Sequence, residues 1–348
     1  MRTKPIGIGV IGVGSIACHA HIPNYQKLRN VAMLAVADID RKAARAAADR
    51  FDIPHALTDY RELLALDGID AVSVATPNAH HVAPTVAALK AGKHVLCEKP
   101  IAMTARDAQR MGDAARTAKR QLMIAHQHRF RADVQALKRA IDDGSLGEVY
   151  YAESIAMRRR GIPGWGVFIQ KEHSGGGPLI DIGVHILDMT LYLMGHPKPT
   201  AASACTYTAF GKRKNVIGGW GQWDPRKYTV EDLAVGFVRF DNGASMVVKS
   251  SWAANIGKEE FNTWLLGTEG GCCLEPLGIF REEHGSLVDI QPVSLPRVDG
   301  YFEEIKAFVE AVRSARPVPI PGEQALVTQK IMDALYRSAE EGKEVAIR

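Results

Sequence analysis

The chain lacks the features that mark several large protein classes. Its five cysteines, Cys18, Cys97, Cys205, Cys272 and Cys273, include no C-x-x-C pair. Two adjacent cysteines cannot readily share one bridge or one metal, so reduced thiols in a reducing, cytoplasmic setting are expected. No apolar run is long enough to cross a bilayer, and MRTKPIGIGVIG passes straight into a strand pattern without a signal-peptide core or cleavage site. An excess of one charge is also lacking: 43 Lys and Arg stand against 39 Asp and Glu, for a formal charge of +4. Basic residues are mostly scattered and their runs short, Arg158-Arg159-Arg160 among them, which argues against a nucleic-acid partner and leaves room for a small anionic ligand. No cluster has metal-ligand spacing, so no metal is expected, and no internal repeat or low-complexity segment interrupts the chain.

What is present describes a soluble globular protein, 46% hydrophobic and 24% charged. At 348 residues the chain exceeds one ordinary core, which predicts two domains and a cleft. Residues 6–126 alternate strand-like runs (IGIGVIG, AMLAVAD, AVSVAT, HVLCEK, LMIAH) with helical patterns, the signature of a doubly wound parallel sheet. The rhythm changes near residue 128. A helix over about 131–143 is followed by strand candidates at 148–157, 201–209, 233–240, 244–252, 261–267 and 271–275, with DNG at 241–243 as a hairpin turn. The reading is therefore an α/β Rossmann domain over 1–128 and an α+β domain with an open antiparallel sheet over 129–348. Helices at 299–315 and 322–341, separated by RPVPIPG, close the chain, and they could pack back on the first domain.

GVGSIA at 12–17 carries the G-x-G-x-x-A turn of a dinucleotide site. Gly12 allows the turn, Gly14 lets a pyrophosphate approach the backbone, Ser15 and Ile16 open the helix beneath it, and Ala17 permits close packing. Asp38, at the end of the second strand, is placed to bind a ribose hydroxyl and so favours NAD; Arg41 could instead accommodate the extra phosphate of NADP. ATPNAHH places Thr76, Pro77, Asn78 and His81 on the carboxyl edge where the cofactor passes. HVLCEKP ends a buried strand at the same edge on Glu98 and Lys99, both candidates for contact with the cofactor, which alternate faces and so take different tasks.

GGGPLIDIGVHILDMTLYLMG, from Gly175 to Gly195, reads as one helix with Pro178 near its start. Its glycines would remove side chains where a cofactor or substrate nears the backbone, and Asp181 and His185, four apart, would share a face. A histidine there suits a general base, and Lys99 could steady the oxygen that loses the proton. Asp188 could orient His185 or serve structure.

The glycine turn, TPNAHH, CEKP and GGGPLIDIGVH, in this order and spacing, together with VED at 230–232 and the C-terminal GEQALVTQKIMDALYRSAEEGKEVAI, closely resemble the glucose-fructose oxidoreductase/inositol dehydrogenase (Gfo/Idh/MocA) family over essentially the whole chain. The resemblance implies a nicotinamide cofactor between a Rossmann domain and a C-terminal domain whose open sheet often forms a homodimer or homotetramer interface. It also implies that Lys99, Asp181 and His185 face the substrate.

Around that site, Arg129 either pairs within the protein or touches substrate, while Trp165 and Lys171 are the best candidates for a loop over a sugar. GGWGQWDPRKY at 218–228 adds tryptophans that would cover a ligand or another subunit. The activity expected is NAD(P)-dependent oxidation or reduction of a sugar, sugar derivative or cyclitol. A glycosidase using NAD transiently, and a non-catalytic cofactor-binding regulator, remain alternatives.

Overall fold

The computed structural model describes residues 4–348. The chain divides into two compact units, one running to Phe130 and including Asp299–Leu326, the other comprising Arg131–Val298 and Val327–Arg348. In the first, β1 (Ile6–Ile11), β2 (Val31–Ala37), β3 (His55–Leu57), β4 (Ala71–Val74), β5 (His94–Glu98) and β6 (Leu122–Ala125) form one sheet in the order β3-β2-β1-β4-β5-β6. Every pairing is parallel. β1, β4 and β6 are buried at every position, as continuous apolar runs covered on both faces should be. The order reverses between β1 and β4, the switch point at which such sheets open a crevice at their carboxyl edge.

Capping side chains start the covering helices. The Asp40 carboxylate accepts from the N–H groups of Lys42 and Ala43, Thr104 Oγ1 from Asp107, and Asp299 from Tyr301 and Phe302. Two features lay beyond the sequence reading. β3 has only three residues, too few for a periodic signal. RPVPIPG, expected only to separate helices, also lies along β6: Met123 bridges Pro321, and the Ile124 N–H donates to the Ile320 carbonyl at 3.1 Å. That segment shields an edge that would otherwise expose unpaired backbone.

The second unit holds nine strands: β7 (Val149–Met157), β8 (Pro199–Tyr207), β9 (Leu233–Phe240), β10 (Ser245–Ser251), β11 (Glu260–Gly267), β12 (Gly270–Leu274), β13 (Leu277–Glu283), β14 (Ser286–Ile290) and β15 (Val345–Ala346). Their order is β14-β13-β12-β11-β7-β10-β9-β8-β15. The sheet is antiparallel except where β7 runs parallel to β10, so it is mixed. β13, β14 and β15 were not anticipated. β14 is almost wholly exposed and β15 has two residues, so neither carries the apolar alternation that marks a half-buried strand.

One face of this sheet packs on the helix Val184–Leu193, eight of whose ten residues are buried. Ile186, Leu187, Met189, Leu191 and Leu193 join Ala152, Val238, Met246, Val248 and Leu265 in the core. Each of these side chains larger than alanine contributes about 1.5–3 kcal/mol on burial. On the opposite face, alternating with those strand residues, stand Tyr151, Val235, Phe237, Val247 and Trp264, none of them fully buried.

Candidate active site

In the first unit the expected cofactor residues gather on the carboxyl edge of the sheet. Gly12 has φ +87° and passes so close to Ala75 that a Cβ would lie 2.8 Å from its carbonyl. Both constraints demand glycine. A Cβ at Gly14 would meet nothing within 4 Å, and Gly14 and Ser15 are exposed, so the backbone at the start of this helix is open to a phosphate-bearing ligand. Ile16 is half-buried against the core below.

Asp38 ties this turn to the end of β2, accepting from the Val13 N–H and the Asp40 N–H, each at 2.9 Å. Two features flank it: Arg41 is exposed, and Ile39, passed over in the sequence, is 95% exposed. Its exposure comes from the fold, and in the sequence an isoleucine after Asp38 gives no sign of it. The residues present therefore fit a dinucleotide.

Thr76, Pro77 and Asn78 lead from β4 into the short turn Asn78–His80. His81 is fully buried, with Nδ1 2.8 Å from the Pro100 carbonyl and Nε2 2.9 Å from that of Thr76. Burial lowers its pKa despite those two acceptors and the Glu98 carboxylate. His81 thus fastens the β4 loop to the segment after Lys99, with both ring nitrogens engaged inside the protein.

The Glu98 side chain is engaged inside the protein. The Glu98 carboxylate, 7% exposed, meets His21 Nε2 at 2.8 Å through Oε1 and the Lys99 backbone N–H at 3.1 Å through Oε2. His21 Nδ1 continues to Ser73 Oγ at 3.1 Å, and Ser73 Oγ to Tyr25 OH at 2.9 Å. His21, Ser73 and Tyr25 are completely buried. This chain of hydrogen bonds under Lys99 was not legible in the sequence, where His21 sits in an unremarked helix. In fact it lies in a π-helical turn, Ala17–His21, a geometry enriched at functional sites.

Burial opposes the charge of Glu98, but the His21 hydrogen bond and the charges of His21 and Lys99 outweigh it and hold the carboxyl below its ordinary 4.5. With a folded-state pKa below the unfolded one, ionised Glu98 contributes stability that is present above pH 4.5 and lost as pH falls through the folded value. The melting temperature should therefore fall between about pH 5 and pH 3 more steeply in the native protein than in Glu98→Gln. Parallel pH profiles would contradict this.

In the second unit, Pro178 opens a π-helical turn, Leu179–Gly183, that passes into the helix Val184–Leu193. The expectation of one uninterrupted α-helix is corrected on this point. Asp181 lies within the π turn and His185 in the first turn beyond it, both half-buried. Trp252, fully buried, donates from Nε1 to Asp181 Oδ2 at 3.0 Å and fixes that carboxylate. Asp188 is buried on the same helix.

The glycines have a different cause from the one expected. A Cβ at Gly176 would lie 2.1 Å from Tyr336 OH, one at Gly177 2.2 Å from the Glu231 carbonyl, and one at Gly183 2.8 Å from Ser250 Oγ. They admit protein groups that build the turn. Glu231 accepts from the Gly177 N–H at 2.9 Å and the Leu179 N–H at 3.2 Å, and from Tyr336 OH at 2.8 Å. A carboxylate here satisfies the free N–H groups of the turn. Burial raises the pKa of Glu231, against the lowering effect of these donors. Next to it, Asp232 accepts from the N–H groups of Ala209, Phe210 and Gly211.

The remaining candidates are more scattered. Arg129, 2% exposed, donates to Gln324 Oε1 at 2.5 Å. Lys171 directs Nζ to Glu340 at 3.2 Å on the surface, while Trp165 is 54% exposed. Among the described residues no group of three or more His, Cys, Asp and Glu is arranged for a metal ion, and no helix is long and apolar enough to cross a membrane.

Comparison with known proteins matches residues 6–126 to the NAD-binding Rossmann fold of the GFO_IDH_MocA oxidoreductase family, and residues 138–347 to that family's C-terminal alpha/beta domain. D-Glucoside 3-dehydrogenase of Escherichia coli is 35% identical over 348 residues, covering 100% of this chain and 99% of the relative. Myo-inositol 2-dehydrogenase of Thermotoga maritima is 27% identical over 352 residues, covering 98% of each. A solved oxidoreductase domain protein from Kribbella flavida superposes with a TM-score of 0.88 at 24% identity, over 99% of this chain and 100% of that one, and so shares its fold.

Proposed function

Since the chain belongs to the Gfo/Idh/MocA oxidoreductase family and is an NAD(P)-dependent sugar dehydrogenase, we propose that its substrate is a glucoside, oxidised at a ring hydroxyl to the ketone. The observation carrying this choice is the end-to-end match, at 35% identity, to an enzyme that acts on D-glucosides at carbon 3.

Gly12, Gly14 and Ser15 would cradle the pyrophosphate, Asp38 the adenosine ribose, and Ile39 would offer an apolar face to the adenine. Thr76, Pro77 and Asn78 would line the path of the cofactor. When bound, NAD supplies the acceptor for the hydride that leaves the ring carbon. Lys99 binds the reacting oxygen and stabilises the negative charge that develops on it. His185 takes the hydroxyl proton, and Asp181, held by Trp252, orients the reacting groups. Run in reverse, the same residues protonate the oxygen as hydride arrives. Arg129 supports this arrangement from its buried contact with Gln324.

We also infer a cytoplasmic homo-oligomer. The support is the five unpaired cysteines and the apolar face of the second sheet bearing Tyr151, Val235, Phe237, Val247 and Trp264.

The test is NADH absorbance with NAD or NADP and a panel of glucosides, free aldoses, anhydrosugars and cyclitols, followed alongside release of the aglycone. NADH formation fastest with a glucoside, aglycone retained, is the expected result. Aglycone release without net NADH would identify the glycosidase that uses NAD transiently. Preference for a free sugar or cyclitol would replace the substrate class.

A further inference from the structure

A second group of side chains in the C-terminal unit is more ordered than its exposure requires. The indoles of Trp165 and Trp220 stack with centroids 5.7 Å apart and planes 16° apart. The Arg158 guanidinium lies 3.8 Å from the centroid of Trp220, and Phe168 meets Trp165 edge-on at 6.5 Å. Yet Trp165 is 54% exposed and Trp220 40%. Leaving indole surface in water forgoes the main gain that tryptophan offers a fold.

The two tryptophans come from loops distant in sequence that are laced together by backbone. The Gly164 N–H donates to the Trp220 carbonyl at 2.8 Å, and the Gly219 N–H to the Arg160 carbonyl at 3.2 Å. A Cβ at Gly164 would lie 2.6 Å from the backbone of Gly221 and Gln222, so close approach of the loops depends on that glycine. The stack is a fixed platform, not two loose side chains.

It is also continuous with the Asp181 turn. The Gly161 N–H donates to the Trp252 carbonyl at 2.6 Å, and the same Trp252 holds Asp181 through its indole N–H. Arg158, at the inner end of the stack, donates its backbone N–H to the Ser251 carbonyl at 3.0 Å and lies within the field of Asp181. The faces of Trp220 are covered by Trp165 and Arg158, so Trp165 is the indole left open to a second ring attached to a sugar held at Asp181.

We propose that Trp165, backed by Trp220, forms an aglycone subsite: its open indole surface stacks on a second ring, aromatic or pyranose, joined to the sugar that is oxidised. Both ring types present a face that an indole attracts, through π-stacking or through polarised C–H groups. The proposal rests on the glucoside reading given above and adds to it that the aglycone itself is recognised.

The test measures KM and kcat for methyl, phenyl and glucosyl glucosides in the native protein, Trp165→Ala, Trp220→Ala and the ring-retaining Trp165→Phe. The ratio of KM for phenyl glucoside to KM for methyl glucoside should rise roughly tenfold in each alanine variant, and Trp165→Phe should restore much of it. A matching rise for the disaccharide identifies a subsite open to both ring types, and a rise for one alone names the type. An unchanged ratio overturns the proposal. A fall in particle mass with the ratio unchanged would instead assign the platform to contact between copies of the chain. Should no glucoside be oxidised by the native protein, the glucoside reading fails separately. The subsite is then decided by titrating tryptophan fluorescence with phenyl glucoside: quenching lost in the alanine variants retains it, and no quenching in the native protein overturns it.

Discussion

Lys99→Met should lower kcat for sugar oxidation by about 10²–10⁴-fold while NAD affinity changes little. The substitution keeps the length and apolar stem of the side chain and removes its charge. The oxygen that loses its proton would then face no compensating cation at the moment negative charge develops. Glu98, whose carboxylate binds the Lys99 backbone N–H and the His21 ring, remains in place, so the end of β5 keeps its shape. Lys99→Arg should recover only part of the activity, because a planar guanidinium cannot occupy the position of a compact ammonium group. Stopped-flow turnover together with NAD titration separates the two effects. A variant that retains more than about a tenth of native kcat would remove Lys99 from the chemistry.

The second large effect concerns stability and activity together. Glu231→Leu strips the acceptor from the Gly177 and Leu179 N–H groups and from Tyr336 OH, all in a buried setting. Each orphaned buried donor costs about 1–3 kcal/mol, so a loss on the order of 3 kcal/mol or more is expected. For a unit of this size that is about 6–12 °C in melting temperature. Because the same turn carries Asp181, kcat should fall even at temperatures where the variant is folded. Glu231→Gln retains one acceptor oxygen and should lose about half as much stability. Calorimetry in parallel with turnover decides the matter. Native-like melting of Glu231→Leu would mean that the turn is held by something other than this carboxylate.

Legibility in the sequence followed the range of the interactions. The first unit was readable because its parallel strands are short continuous apolar runs, and because Gly12, Gly14 and Asp38 follow a strand at the spacing a dinucleotide requires. Lys99, Asp181 and His185 stood out as residue types in telling places, and the roles proposed for them rest on the family resemblance. The π-helical turns around His21 and Asp181 were not readable, since their hydrogen-bond register is set by tertiary partners rather than by apolar period. The same holds for the glycines at 176 and 177. Their need to be small was evident, but Tyr336 and Glu231, which fill the space, lie far along the chain. β14 escaped because a largely exposed edge strand has little apolar pattern to betray it, and half-buried β13, ending in Arg281-Glu282-Glu283, carries only a short one.

In the proposed reaction hydride passes from a ring carbon of a carbohydrate to NAD, with His185 moving the proton. Its most direct measurement uses a methyl glucoside deuterated at every ring carbon, with NAD, comparing the native protein with His185→Ala. Deuterium in the NADH formed, a primary isotope effect on turnover, and a loss of rate in the variant of about 10²–10⁴-fold are expected. NADH without deuterium would contradict a hydride taken from the ring, and deuterated NADH formed at native rate by His185→Ala would contradict the role given to the histidine.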